Sequence, residues 1–200
     1  TGRNPRSTVA TTTEIYDYLR LLYARIGKAH CPKTGKPLIG YSSSSAATYC
    51  INHFNGERVE LLAPLYLPGS SKILLLDHPK HLSNVVDLLL KDGFVRIHIN
   101  GEPIRLDEWD DFSSNHKDQN SFEFTRNTTV DLVIDRLLVS KDDQKRLAEA
   151  IENAFHRGHG LVKICLTDQN NKTKILSETP ANVESDFFQL EELTPRMFSF

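Results

Sequence analysis

Cysteine is scarce in this chain: Cys31, Cys50 and Cys165 are its three, an odd number spread widely over 200 residues. Such spacing excludes a disulfide-stapled secreted scaffold and suits a reducing compartment, so the sequence predicts a cytoplasmic protein. Long apolar runs are missing too. None reaches the roughly 18 residues that a membrane helix needs, and the first residues lack the apolar stretch of a signal peptide. The sequons at Asn127 and Asn171 therefore carry no expectation of glycosylation. Charge of one sign is also absent, with 24 Lys and Arg against 26 Asp and Glu, which gives no overall nucleic-acid signature. A glycine-rich phosphate loop cannot be found. The nearest approach, Gly35-Lys36, has His30 where the first glycine belongs and Pro37 where the hydroxyl belongs. No ATP site is expected within the chain, and no nucleophile elbow accompanies its serines.

What is present is a patterned, mixed chain. Ile15, Tyr18, Leu19, Leu22, Tyr23 and Ile26 recur at helical spacing, which predicts a helix over 12–26 capped by Thr11 or Thr12 and stopped by Gly27. Ser42 or Ser43 caps a second, short helix through AATYCINHF. RVELLAPLYL at 58–67 reads as a strand in which Pro64 implies an edge position or a break. SKILLLDH is a further extended candidate, and Pro79 opens a helix that Gly93 stops. FVRIHI alternates with period two, which predicts Phe94, Arg96 and His98 on an outward face and Val95, Ile97 and Ile99 packed inward; Asn100-Gly101 is a two-residue hairpin signal, and PIRL is the return strand. Residues 107–121 read as an exposed acidic loop. TVDLVIDRLLV follows as a strand, then a helix with Leu147, Ala148, Ile151, Ala154 and Phe155 on its buried stripe, then the hairpin LVKICLT and TKILS. Hairpins mixed with separate helices predict an α+β fold, a mostly antiparallel sheet with about four helices.

Three clusters invite a chemical reading. His30-Cys31 and Cys50-x-x-His53 supply four zinc-ligand types, but adjacent residues diverge in an extended segment, and a tetrahedral site needs all four ligands within about 2.0–2.3 Å of the metal; no metal is expected. The acidic run Asp107, Glu108, Asp110 and Asp111 lacks the spacing and the glycine of a calcium loop. Basic residues crowd the first forty positions, where Arg3, Arg6, Arg20, Arg25, Lys28, Lys33 and Lys36 face only Glu14 and Asp17. Arg3 and Arg6, beside Asn4, Ser7 and Thr8, have the chemistry to grip a phosphate backbone; they fit a polar lead-in to the first helix equally well.

The stretch RNPRSTVATTTEIYDYLRLLYARIGKAHCP at 3–32 resembles the UvrA family, the damage-recognition ATPases of bacterial nucleotide excision repair. LLAPL, GFVRIHINGE, VDLVIDRLLV, QKRLAEAIENAF and LEELTPRMFSF continue the resemblance in order, so that it covers nearly the whole chain. It implies a piece of a longer protein, in keeping with the opening on Thr1. The Walker A loop would precede Thr1, and the ABC signature motif would follow Phe200. The implied organisation is a signature-domain segment over 1–30, a UvrB-binding domain over 31–180, and a return into the signature domain over 181–200, an insertion domain of an ABC-type ATPase.

The family resemblance implies a non-catalytic module that recruits UvrB to DNA lesions, inside a homodimeric, DNA-dependent ATPase. Within matching blocks it singles out Arg96 and Arg105 for UvrB, with Lys72 the remaining basic residue of the loop after LAP, and turns Arg3 and Arg6 toward DNA. Many family members carry a CPxCG-type cysteine pair just before the ELxPRxFSF block; here ETPANVESDFFQLEEL has none. ATP and zinc are thus expected only of full-length relatives. The alternative reading is a nucleic-acid-binding module that uses the basic N-terminal segment.

Overall fold

A computed structural model describes residues 15–66, 82–110, 128–167, 172–182 and 188–189. Helix α1 spans Ile15–Ile26, α2 Ser43–Phe54, α3 Leu82–Lys91 and α4 Gln144–Arg157. Strands are β1 Arg58–Tyr66, β2 Arg96–Ile99, β3 Glu102–Arg105, β4 Val130–Leu138, β5 Leu161–Leu166 and β6 Thr173–Ser177, with short β7 Ala181–Asn182 and β8 Phe188–Gln189. The first six form one sheet in the order β3-β2-β4-β1-β5-β6, every neighbouring pair antiparallel. The fold is α+β, as the sequence predicts.

Side-chain alternation gives the sheet two unlike faces. Val59, Leu61, Ala63 and Leu65 of β1 point to one side with Ile97 and Ile99 of β2, Val130 and Leu132 of β4, and Val162, Ile164 and Leu166 of β5. The helices cover this side. Ala46, Ala47, Cys50 and Ile51 of α2 and Leu147, Ile151, Ala154 and Phe155 of α4 complete the core, with Val85, Val86 and Leu89 of α3. α2 starts where the Ser42 hydroxyl accepts from the amide of Ser45 at 3.2 Å, satisfying an otherwise orphaned donor. α3 stops at Gly93, whose φ of 86° no side chain tolerates well. At the far end of α4, Arg157 donates to Asp92 at 2.7 Å and lies 5.1 Å over the ring of Phe94, tying that helix to the turn after α3.

Four expectations need correction. Pro64 does not put β1 at an edge: β1 is internal, paired with β4 on one side and β5 on the other. The proline is tolerated because pairing with β5 extends from Val59 only to Leu62, and the β4 register slips between Pro64 and Tyr66. The segment after β3 is not simply an exposed loop. It begins as a 3-10 turn, Leu106–Glu108, and Leu106 and Trp109 are buried in the core. His98, expected to face outward with Phe94 and Arg96, is buried, and Val95, expected in the core, is half exposed. Finally, α1 buries none of its residues among those described; Tyr18 and Ile26 are 70% and 71% exposed. The strand expected over SKILLLDH, the helix start at Pro79 and the caps at Thr11 and Thr12 lie outside the described residues.

Candidate interaction face

The other side of the sheet carries charge. Charged residues interrupt the apolar strands at positions that point away from the helices: Glu60 in β1, Asp131 and Arg136 in β4 and Lys163 in β5, with Arg96 and His98 in β2. These groups form two linked clusters. Glu60 receives Arg136 of β4 on one carboxylate oxygen and lies 3.1 Å from His98 Nε2 through the other. The His98 contact is within ion-pair reach but off the line of a directed hydrogen bond. Next to it, Lys163 donates to Asp131 at 2.7 Å.

Burial decides how these groups behave. Glu60, His98 and Asp131 are all buried, Asp131 completely. Neighbouring His98, then Arg136, hold the Glu60 carboxyl below its ordinary range despite its burial. For Asp131 loss of solvent outweighs the attraction of Lys163, and its carboxyl is pushed up. One Asp131 oxygen accepts from Lys163, while Oδ1 is buried without a partner among the described residues. Glu60, His98 and Asp131 are thus sealed within the face, while the Arg136 side chain stays accessible at its margin.

The accessible part of the face lies toward the β2–β3 hairpin. Arg96 and Arg105 are cross-strand partners there, so both project to the same side of the sheet. The hairpin that pairs them turns on Asn100 and Gly101, both at positive φ (53° and 85°), and Asn100 Oδ1 accepts from the Thr129 amide at 2.9 Å. Like charges directly opposed repel, and Arg105 finds relief in Asp107. Its Nε donates at 2.9 Å and its terminal nitrogen at 2.5 Å to the two carboxylate oxygens, with Glu108 3.3 Å away. Arg96 has no ion pair among the described residues closer than 4 Å. Bidentate pairing raises the Arg105 pKa and lowers that of Asp107.

Of the residues singled out from sequence, the structure brings Arg96 and Arg105 together. Lys72, Arg3 and Arg6 lie outside the described residues. Sequence reasoning missed Glu60, Asp131, Arg136 and Lys163, although charges set among the apolar residues of RVELL, VDLVIDR and LVKIC are a readable signal. The four zinc-type residues do not converge. Cys50 is sealed in the core, where burial pushes its thiol up to about 12. His53 stacks on Tyr49 at 4.1 Å, and His30 bonds to the Lys28 carbonyl. Cys31 lies in a tight turn where the Thr34 hydroxyl, then backbone amides of Thr34 and Lys33, bring its thiol down to about 7. No group of three His, Cys, Asp or Glu suited to a metal occurs among the described residues. A cavity of about 200 Å³ lined by Lys36, Ile39, Tyr41 and Ser177 opens beside β6, the sheet edge opposite β3, and so takes no part in the arginine face.

Known proteins resemble this chain over most of its length. Residues 42–168, which hold the six-stranded sheet except β6, match the family model described as the UvrA interaction domain. The UvrABC system protein A of Methanothermobacter thermautotrophicus is 37% identical over 199 residues, covering 98% of this chain and 19% of that protein. Those of Thermus thermophilus and Deinococcus radiodurans are 36% identical over 200 and 206 residues, covering 100% of this chain and 19% and 18% of theirs. The chain thus spans about a fifth of the length of these curated relatives. With more than half its residues matched, the chain belongs to the UvrA interaction domain family.

Proposed function

We propose that this chain is a non-catalytic interaction domain of a nucleotide excision repair protein, and that it recruits UvrB through the Arg96–Arg105 end of the sheet. The observation that carries the reading is the pairing of two arginines on an accessible face, one of them without an ion pair among the described residues. A guanidinium offers a planar fork that a carboxylate can accept in bidentate fashion, so the fitting partner surface is acidic. Lys72 extends the same chemistry if its loop reaches that surface. In this reading ATP hydrolysis, DNA contact, Arg3 and Arg6 included, and dimer formation belong to the full-length protein, and the whole acts in the cytoplasm. No helix among the described residues is long and apolar enough to cross a membrane.

The test is a titration of UvrB against the chain and its Arg96→Glu variant. Charge reversal should weaken binding by at least about tenfold if the pair is desolvated, with the melting temperature unchanged. Equal affinity for both, with folding intact, would place the contact elsewhere. DNA binding by the chain with a steep dependence on salt would favour the nucleic-acid reading.

A further inference from the structure

We infer that Asp107 is a built-in competitor for the partner: in the free domain it occupies the Nε–Nη2 edge of the Arg105 guanidinium, and an acidic surface can use that edge only by displacing it. This rests on the proposed function, and it divides the two arginines into unlike roles. Arg96 feels Asp107 only through a longer-range attraction, whereas Arg105 is gripped directly by that carboxylate, two residues along its own chain.

The geometry makes Asp107 a mimic of an incoming carboxylate. Both of its oxygens meet the two nitrogens on one edge of the guanidinium, at 2.9 and 2.5 Å, the bidentate arrangement an external carboxylate would use. Glu108 adds a second negative charge at 3.3 Å from Arg105 Nε. Both acids are placed by a rigid support. Leu106 and Trp109, on either side of them, are buried in the core, and the Leu106 amide donates to the Val95 carbonyl at 2.9 Å. Asp107 and Glu108 thus project from an anchored turn.

Two consequences follow for an acidic partner. The internal pair lowers affinity, because one bidentate contact has to be exchanged for another. It also sharpens selection. A weakly acidic surface that meets Arg96 alone gains little, while one that supplies carboxylates to both arginines can displace Asp107 and tolerate Glu108. The clamp is solvent-exposed, with Arg105 and Asp107 side chains 47% and 51% accessible, so exchange is rapid and the penalty modest.

The experiment compares UvrB affinity for the chain, Asp107→Asn, Arg105→Gln, the double variant and Arg96→Glu, with melting curves for each. Asp107→Asn should tighten binding about fivefold, and this gain should vanish in the Arg105→Gln background. The Arg105 Nε proton, observed by NMR without partner, should be protected from exchange in the parent chain and exposed in Asp107→Asn. Unchanged or weaker binding by Asp107→Asn, with Arg96→Glu still impaired, overturns the inference and leaves the functional reading standing. No effect of Arg96→Glu overturns the functional reading and this inference with it.

Discussion

Glu60 and His98 sit on strands that β4 separates, yet their side chains come within 3.1 Å on the face turned away from the helices. A buried carboxylate held this way is a source of pH-dependent stability. Its folded pKa lies below the ordinary 4.5, so its contribution is complete above that value and is lost as pH falls through the lower, folded one. Glu60→Gln should cost about 1–3 kcal/mol at neutral pH, and the deficit should shrink as the medium becomes acidic. Urea titrations of both proteins across the acid range check this; a deficit independent of pH would show that Glu60 acts through shape alone.

The Cys50 thiol has the opposite sign. Burial raises it from about 9 to about 12, so its contribution is complete below the unfolded value and is lost as pH climbs between the two. The parent chain should therefore lose stability more steeply above about pH 9 than Cys50→Ala does, although the variant starts lower because of the cavity. Denaturation midpoints at a series of alkaline pH values give the two slopes, and parallel slopes would contradict the burial of the thiol.

Helix α4 holds the sheet while α1 buries nothing among the described residues. Ile151→Ala, at a fully buried position, should cost about 2–5 kcal/mol. Tyr18→Ala, on the 70% exposed side chain of α1, should change stability by no more than about 0.5 kcal/mol. Denaturant unfolding of the two variants compares them directly. A comparable loss in Tyr18→Ala would mean that α1 packs on the domain in solution.

The β2–β3 hairpin depends on its turn. Gly101 has a φ of 85° with open space around it, so an added side chain is resisted by backbone conformation and not by a clash. Gly101→Ala should cost about 1–2 kcal/mol, and thermal melts should detect the loss. Asn100→Gly, which keeps the turn but removes the bond to the Thr129 amide, should cost less than Asn100→Ala.

Much of this architecture was legible in advance. Asn100-Gly101 gave the hairpin, the stripe of Leu147, Ile151, Ala154 and Phe155 gave the buried side of α4, and the alternation of Ile97 and Ile99 gave the core side of β2. Local patterns could not reveal long-range neighbours. His98 reads as an outward residue because its own strand alternates, and only β4 and β1 laid beside it supply Asp131 and Glu60 and bury all three. Pro64 misleads for a related reason: proline disfavours an internal strand, but β5 stops pairing before reaching it. Arg96 and Arg105 could be proposed from the family pattern and paired from the hairpin. The grip of Asp107 on Arg105 required the 3-10 turn, which the acidic run concealed.

Strand β3 ends the sheet with Glu102, Pro103, Ile104 and Arg105. A terminal strand normally offers its backbone to any extended peptide, including another copy of the same chain. Pro103 has no amide hydrogen to give, and the flanking charges are costly to bury in a second sheet. Pro103 thereby weakens strand addition along the margin nearest the arginines, which favours recognition there by side chains over recognition by backbone.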